Sequence, residues 1–266
     1  MSNSVLRRNT WVLLALLMLG SSTFAQHSLN LQAGLGAGSI NNYDAGTVPF
    51  HITGNTAVFN WGVNYSFDRC QIETEGRFFN STLKTLSGND EALDFNLEFL
   101  YRYFDTKDKR FHFYAGGALG GYGDLKSVPA LQNAASSINL FGNLCIVNMA
   151  EWDFAFNKTK AHHWLTVYAK INLPVLEAAY RPGYAYVYDP QGLTELEGIF
   201  AGYEGFTQCF PGCNTQIGLW LNLKNHNRIG LSYRWDYLRT GNNDIWHFDN
   251  TFHSVNLTFM FNILSL

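Results

Sequence analysis

The chain has 266 residues, of which 16% are aromatic, together with 24 glycines and 6 prolines. Its formal net charge is -3, and it has no arginine-rich block or recognition motif, which excludes an electrostatic nucleic-acid-binding protein. The length suits one β-rich domain, because a single β-barrel of this size is ordinary.

The first 25 residues have the features of a signal peptide. Arg7 and Arg8 precede an apolar run at 11–19, and the tripeptide Thr-Phe-Ala at 23–25 supplies small residues at the two positions that a signal peptidase reads. The apolar run is too short for a comfortable membrane helix. We therefore expect cleavage after residue 25 and a mature, exported domain at 26–266; a retained anchor is the alternative.

Segments with a period of two recur through the rest of the chain. The clearest alternates Leu93, Phe95 and Leu97 with Asp94 and Glu98. We predict ten strands of this kind, at 29–37, 57–67, 70–80, 93–103, 111–122, 137–156, 163–173, 214–223, 228–237 and 253–264. Apolar residues on one parity and polar residues on the other are typical of strands that face lipid outside and a polar lumen inside.

The connections between these segments differ in length in an alternating way. Short polar turns are predicted at 68–69, 105–110, 157–162 and 224–227, and longer loops at 41–55, 82–91, 123–136, 174–213 and 239–250. Transmembrane barrels have short turns at the periplasmic end and long loops at the extracellular end, so the alternation supports the strand assignment.

The strand alternation, the loop asymmetry and the aromatic-rich last strand resemble Gram-negative outer-membrane β-barrel proteins as a general class. The resemblance implies an all-β, transmembrane, antiparallel up-and-down barrel of about ten strands, with eight or twelve as alternatives. It also implies the cell outer membrane as location, outer-membrane lipid as surroundings and the barrel assembly machinery as a partner during biogenesis. The chain departs from the class at its end, where Leu264-Ser265-Leu266 replaces the usual terminal aromatic residue. A soluble barrel such as a lipocalin is the structural alternative.

The inward parity carries charges of both signs. These are Glu73, Glu75, Asp94, Glu98, Glu151, Asp153 and Asp236 with Arg77, Arg102, Lys170, Arg228 and Arg234. Because a narrow barrel is either filled by side chains or thinly hydrated, these charges predict a salt-bridged plug or a narrow, porin-like channel with weak cation preference. We expect Arg102 to pair with Glu73 or Glu75 on the adjacent strand.

The longest predicted outer loop, 174–213, carries candidate ligand-binding residues for a nutrient, a glycan or a protein at the cell surface. These are Tyr180, Arg181, Tyr184, Tyr186 and Tyr188. Tyrosine combines a rigid apolar face with one hydroxyl, which suits recognition surfaces. The alternative is that these rings pack on one another or form an aromatic girdle at the membrane surface.

Two of the four cysteines lie close together in the same loop. Pro211-Gly212 favours a turn that would bring Cys209 and Cys213 within bonding range, and an exported protein meets an oxidising environment. We predict a disulfide between them. Cys70 and Cys145 lie at different depths and on opposite parities, so we expect them not to pair.

The predicted loop 239–250 and the start of the last strand contain Asp244, His247, Asp249 and His253, which are candidates for a catalytic group. An aspartate beside a histidine can orient the imidazole as a general base, and the omptin proteases keep such pairs at the barrel rim. The omptin sequence pattern is not matched, and the spacing fits no standard metal-ligand set. His253 and Ser254 are adjacent and so point to opposite faces of a strand, unlike the pairs of barrel lipases.

The sequence therefore favours a passive outer-membrane barrel over an enzyme, with no cofactor and no metal. It predicts either a narrow channel or a largely closed barrel that presents the 174–213 loop to a ligand or partner. The alternative is an outer-membrane hydrolase, omptin-like or lipid-acting, with its site near His247.

Overall fold

The computed structural model describes residues 27–45, 48–85, 87–134, 136–154, 164–182, 202–208, 212–240 and 247–265. The predicted signal peptide, the predicted turn at 157–162 and most of the predicted loop at 174–213 lie outside these ranges.

Strands make up nearly all of the described chain. They are β1 His27–Asp44, β2 Val48–Phe67, β3 Cys70–Leu83, β4 Gly88–Asp105, β5 Phe111–Ser127, β6 Ser136–Phe154, β7 Leu165–Pro182, β8 Gly202–Gln208, β9 Gly212–Asn222, β10 Arg228–Thr240 and β11 Phe248–Ser265. A 3-10 helix, Pro129–Ala134, lies between β5 and β6. Within the described ranges, no helix has the length and apolar character needed to cross a membrane.

These strands form one closed antiparallel barrel. β1 pairs with β11, and β6 pairs with β7, so the sheet has no open side. β8 and β9 both pair with β7, β8 along Leu176–Pro182 and β9 along Leu165–Asn172, and together they fill one place in the wall. If β8 and β9 are counted as one, the barrel therefore has ten strands, which confirms the predicted all-β, up-and-down architecture. Closure gives ten of the eleven described strands a partner on each side, which removes the edge strands of an open sheet. β8 is paired with β7 along one side.

The two faces of the wall differ as the sequence alternation predicts. Large apolar side chains point outward and are exposed, for example Leu35 at 67% and Ile217 at 60%, whereas Glu98 points inward and is 1% exposed. A soluble barrel would carry polar side chains on its outward face, so a lipocalin does not fit this surface.

The barrel end that carries His27 and Ser265 is called the inner end, and its connections are short. Three of the predicted inner turns are confirmed, at 68–69, 106–110 and 223–227. Asp68, Lys109 and His226 adopt φ values of 50°, 53° and 63° there, the left-handed conformation that tight turns need. In the second turn the Thr106 hydroxyl donates to Asp108 at 2.5 Å, and this hydrogen bond lowers the pKa of the Asp108 carboxyl below its ordinary value.

At the opposite, outer end the strands are longer than predicted. β1 continues to Asp44 and β2 begins at Val48, so the predicted loop 41–55 is mostly strand. The predicted loop 82–91 shrinks to the connection between Leu83 and Gly88. Here the outward residues are polar, which ends the apolar alternation, while the backbone pairing continues. The sequence pattern therefore marks the extent of the apolar band rather than the extent of the strand.

The predicted start of the loop 174–213 is also wrong, because β7 continues beyond residue 174. Because Pro174 has no N–H to donate to a neighbouring strand, the sequence favours the end of the strand at this position. In the structure Leu144 and Cys145 of β6 pair with Leu176 and Pro174, so Val175 forms a bulge in β7, and β7 continues to Pro182. β8 then pairs with this outer part of β7, so the region is partly wall rather than loop.

The lumen contains clusters of apolar side chains in addition to the charged residues that the sequence predicts. The largest cluster fills its outer half and contains Ile40, Ile52, Val58, Phe79, Leu83, Ala92, Val128 and Phe252. A neighbouring cluster joins Phe141, Ala179 and Phe248, and a third joins Leu100, Ala118, Cys145, Val147 and Met149. The outer half of the barrel is thus packed like a small protein core.

Candidate functional site in the lumen

A network of buried charges crosses the lumen at mid-depth. Arg77 on β3 donates to Asp94 on β4, and its Nη1 donates to Asp236 Oδ2 on β10 at 2.7 Å. Arg234 on β10 donates through Nη1 to Glu75 Oε2 at 2.6 Å and through Nε to Asp236 Oδ1 at 3.1 Å. β3 and β10 are separated in the wall by β2, β1 and β11. The Arg77–Asp236 and Arg234–Glu75 contacts therefore run across the lumen, whereas Arg77 and Asp94 are paired on adjacent strands.

A second group extends the network to β7. Lys170 Nζ lies 2.9 Å from Glu98 Oε2 and 3.6 Å from Glu73 Oε2. Asn172 Nδ2 donates to the other oxygen of Glu98 at 2.8 Å. The network as a whole ties four strands together, β3, β4, β7 and β10.

Burial makes these pairings necessary. Arg234 and Glu98 are each 1% exposed, and an unpaired charge at such a position would be strongly destabilising. The network has five carboxylates, on Glu73, Glu75, Asp94, Glu98 and Asp236, and three basic groups, on Arg77, Lys170 and Arg234. It therefore carries a formal excess of negative charge.

Arg102 is placed differently from the sequence prediction. Its Nε lies 3.4 Å from Asp105 Oδ1, and its Nη2 donates to the Asp68 carbonyl at 3.4 Å. The predicted pairing with Glu73 or Glu75 is wrong, because Glu73 is in register with Glu98 and Arg102 lies four residues nearer the inner end.

The other predicted lumen charges lie near the inner end. Tyr114 donates to Glu151 Oε2 at 2.9 Å, and Asp153 Oδ2 lies 3.4 Å from His112 Nε2. Arg228 and Glu151 line a cavity of ≈140 Å³ whose walls are mostly polar. This inner cavity reaches as far as Glu75, Lys170 and Arg234 of the network.

Several buried charges in the outer half are missing from the sequence prediction. They are Asp44, Asp90, Asp124, Lys126 and Glu177. Each falls in a predicted loop, so the alternation was not extended to it. Their parity gives a signal that predicts four of them. Asp44 continues the inward set of Ile40 and Asn42, Asp90 continues that of Ala92 and Asp94, and Asp124 and Lys126 continue that of Tyr122.

The rim candidates form a hydrogen-bonded pair. His247 Nε2 lies 2.8 Å from Asp249 Oδ2, and Tyr237 donates to the other oxygen of Asp249 at 3.1 Å. Asp249 and His253 share the outward parity of Val255 on β11, so the pair faces away from the lumen. Nδ1 of His247 is buried and has no hydrogen-bond partner within the described part of the chain. This geometry can orient an imidazole as a base, but it brings no hydroxyl or thiol nucleophile to that nitrogen; Asp244 lies outside the described residues.

The predicted loop residues are described only in part. Tyr180 is half-buried near the outer end of β7, and the backbone of Arg181 pairs with that of Tyr203 on β8. Tyr184, Tyr186 and Tyr188 lie outside the described residues.

The cysteines are also described only in part. Cys70, Cys145 and Cys213 lie on three different strands, β3, β6 and β9, and form no disulfide with one another. Cys209 lies outside the described residues, so its pairing with Cys213 stays a prediction. Across the described ranges, no group of three or more histidine, cysteine or acidic side chains is arranged to hold a metal ion.

No protein-family model and no curated protein sequence matches this chain. Its fold is similar to that of the outer membrane protease OmpT from Escherichia coli, with a TM-score of 0.50 and 9% identity over 91% of this chain and 98% of that one. Neisserial surface protein A has a TM-score of 0.38 and 10% identity, over 86% and 95% of the two chains. Ail of Yersinia pestis, solved with the heparin analogue sucrose octasulfate, has a TM-score of 0.32 and 11% identity, over 89% and 99%. The chain thus shares the β-barrel fold of Gram-negative outer-membrane proteins.

Proposed function

We propose that this protein is an integral outer-membrane barrel with a non-conducting lumen, whose outer end binds a nutrient, a glycan or a protein partner. The outward apolar surface supports the membrane location, because side chains such as Leu35 and Ile217 would otherwise face water. The fold shared with outer-membrane barrels agrees with this placement.

The observation that carries the closed lumen is the position of the charge network between two separate cavities. Arg77, Asp94 and Asp236 line the outer cavity, and Glu75 and Arg234 line the inner one. Guanidinium and carboxylate groups that are bonded to each other across a narrow barrel leave little room for a hydrated ion. The apolar cluster around Phe79 and Phe252 adds a second barrier on the outer side.

A barrel that does not conduct would act through its outer surface. The outer parts of β7 and β8 extend the wall and carry the connection 183–201, which contains Tyr184, Tyr186 and Tyr188. Tyrosine side chains can stack on sugar rings or anchor a protein partner with little loss of side-chain entropy.

Single-channel conductance in a planar bilayer tests the closed lumen. We expect the wild-type barrel to give no conductance steps. Replacing Arg77 and Arg234 together with serine removes two large cations and leaves carboxylates, so we expect this variant to conduct and to prefer cations. Arg110→Ser, in an exposed inner turn, is the matched control and should remain silent.

The result that would contradict the proposal is a regular series of conductance steps from the folded wild-type protein. That outcome would favour the narrow, weakly cation-selective channel instead, in agreement with the excess of carboxylates in the network. A difference in SDS-gel migration between unheated and heated samples verifies that each variant is folded.

A lipid-acting hydrolase is the second candidate, and the 2.8 Å contact between His247 and Asp249 favours it. Because this pair faces outward, it would meet an outer-leaflet lipid rather than a peptide inside the lumen. If the pair is catalytic, His247→Ala should abolish release of fatty acid from outer-membrane lipid, whereas His226→Ala, in an inner turn, should not. No fatty acid release from wild-type protein would remove this candidate.

A further inference from the structure

We infer that the outer cavity of the lumen binds a small organic ammonium ion. The cavity has a volume of ≈80 Å³ and lies between the charge network and the apolar cluster of the outer half. Ile40, Phe79, Ala92 and Phe252 form its apolar side. This binding site goes beyond the proposed function, which concerns conduction and the outer surface.

The first argument is a set of hydrogen-bond acceptors that have no partner among the residues that the structure describes. Asn172 donates its amide nitrogen to Glu98 at 2.8 Å, and a carboxylate can only accept, so this contact fixes the orientation of the amide and leaves Oδ1 free. Asn250 likewise donates its amide nitrogen to the Tyr122 hydroxyl at 2.9 Å and leaves Oδ1 free. Both asparagines line the cavity, and they are only 2% and 5% exposed.

A third free atom comes from a hydroxyl on the same cavity. Ser81 is 1% exposed, and its Oγ has no hydrogen-bond partner within the described chain. Buried polar atoms are almost always paired. Oδ1 of Asn214, which also lines the cavity, is a fourth such atom. Four such atoms around one cavity therefore indicate that a group with several donors belongs there.

The second argument is charge. The charged residues that line the cavity are Arg77, Asp94 and Asp236, which carry one positive and two negative formal charges. The guanidinium of Arg77 is already bonded to both carboxylates. Arg234 also bonds to Asp236, lies 3.9 Å from Asp94 and pairs with Glu75, so two arginines face three carboxylates at the floor of the cavity. One net negative formal charge therefore remains there.

An alkylammonium ion matches both features and the apolar side. Its –NH₃⁺ group has three donors and no acceptor, which suits the free oxygens and the negative floor, and a short alkyl group can cover the apolar wall. An alcohol supplies one donor and no charge, and a carboxylate supplies neither donor nor the right charge. Ordered water could also satisfy the oxygens. A cavity that held only water would not bind an alkylammonium ion in preference to an alcohol or a carboxylate.

Titration calorimetry of the full refolded barrel in micelles tests the inference, with n-butylammonium, 1-butanol and butyrate as probes of equal chain length. We expect butylammonium to bind at least about tenfold more tightly than butanol, because its contacts are charge-assisted, and butyrate not to bind. Ala92→Leu should fill the cavity and abolish butylammonium binding. Ala57→Leu makes the same change on the exposed outward face of β2 and should have no effect.

Three results would each overturn the inference: no binding of any probe, equal binding of butylammonium and butanol, or binding that Ala92→Leu leaves unchanged. If Ala92→Leu does not fold, Ser81→Ala replaces it, since that change removes a free hydroxyl without breaking a hydrogen bond and should weaken butylammonium binding severalfold. A conducting wild-type barrel would contradict the proposed closed lumen and would leave this binding result unaffected.

Discussion

At the residue scale, the lumen charges are held by specific partners and not by solvent. Lys170 lies between Glu98 and Glu73, and Arg234 lies between Glu75 and Asp236. Each of these groups is costly to bury alone, so the pairs stabilise the barrel mainly by preventing isolated charges.

We expect Lys170→Met to reduce the free energy of unfolding by about 3–5 kcal/mol, because it leaves Glu98 buried without its cation. Urea-induced unfolding of the barrel in micelles measures the loss. Adding Glu98→Gln should restore part of it, since the unpaired charge of Glu98 is then gone while Asn172 can still donate. Glu73 also loses Lys170, so the recovery should be incomplete. Arg110→Met, on an exposed turn, should change stability little; an equal loss in both single variants would contradict the role of the network.

The predicted disulfide between Cys209 and Cys213 also belongs to this scale. We expect only Cys70 and Cys145 to react with a maleimide in the unfolded, unreduced protein, and all four cysteines to react after reduction. Labelling of Cys213 without reduction, read by mass spectrometry, would show that the bond is absent.

At the element scale, an aromatic side chain on one strand packs over a glycine on the neighbouring strand. Trp61 on β2 is directly in register with Gly76 on β3, and a Cβ added at Gly76 would lie 2.4 Å from the indole ring. An aromatic ring that packs over a glycine on the adjacent strand restores the apolar cover that glycine lacks.

We expect Gly76→Val to cost about 1–3 kcal/mol, because the new side chain must displace Trp61. Gly121→Val is the matched control on the same outward face, since a Cβ there meets nothing closer than 3.9 Å. This control should be neutral or slightly stabilising, because valine favours strands. Tryptophan fluorescence together with the urea midpoint reports both effects, and equal midpoints for the two variants would exclude the packing argument.

At the scale of the whole molecule, the barrel has two ends with different character. The inner end has short turns and a polar cavity, and the outer end has longer strands and an apolar fill. This asymmetry predicts one orientation in the membrane, with the inner end in the periplasm.

Cysteine labelling in intact cells tests this orientation. In a background with the four native cysteines replaced by serine, we expect Lys84→Cys, at the outer end, to react with a membrane-impermeant maleimide. Lys107→Cys, in an inner turn, should react only after the outer membrane is permeabilised. The reverse pattern would mean that the barrel is inserted the other way, and mass spectrometry of the same protein would test the predicted mature start at residue 26.

The sequence by itself determined an up-and-down barrel of about ten strands, with eight or twelve as alternatives, and which parity of each strand faces the lumen, because the parity of a strand residue depends only on which solvent lies on each face of the wall. It did not determine where the strands end, since Asn41 and Thr53 face outward above the apolar band and lose the alternation while their backbones still pair. Only the tertiary structure decided the partners inside the lumen. Arg234 and Glu75 are 159 residues apart and meet across the barrel, and this meeting depends on strand stagger and wall curvature, which no local pattern encodes. The same long-range geometry placed four oxygens that have no hydrogen-bond partner among the described residues around one cavity, and it turned the His247–Asp249 pair outward.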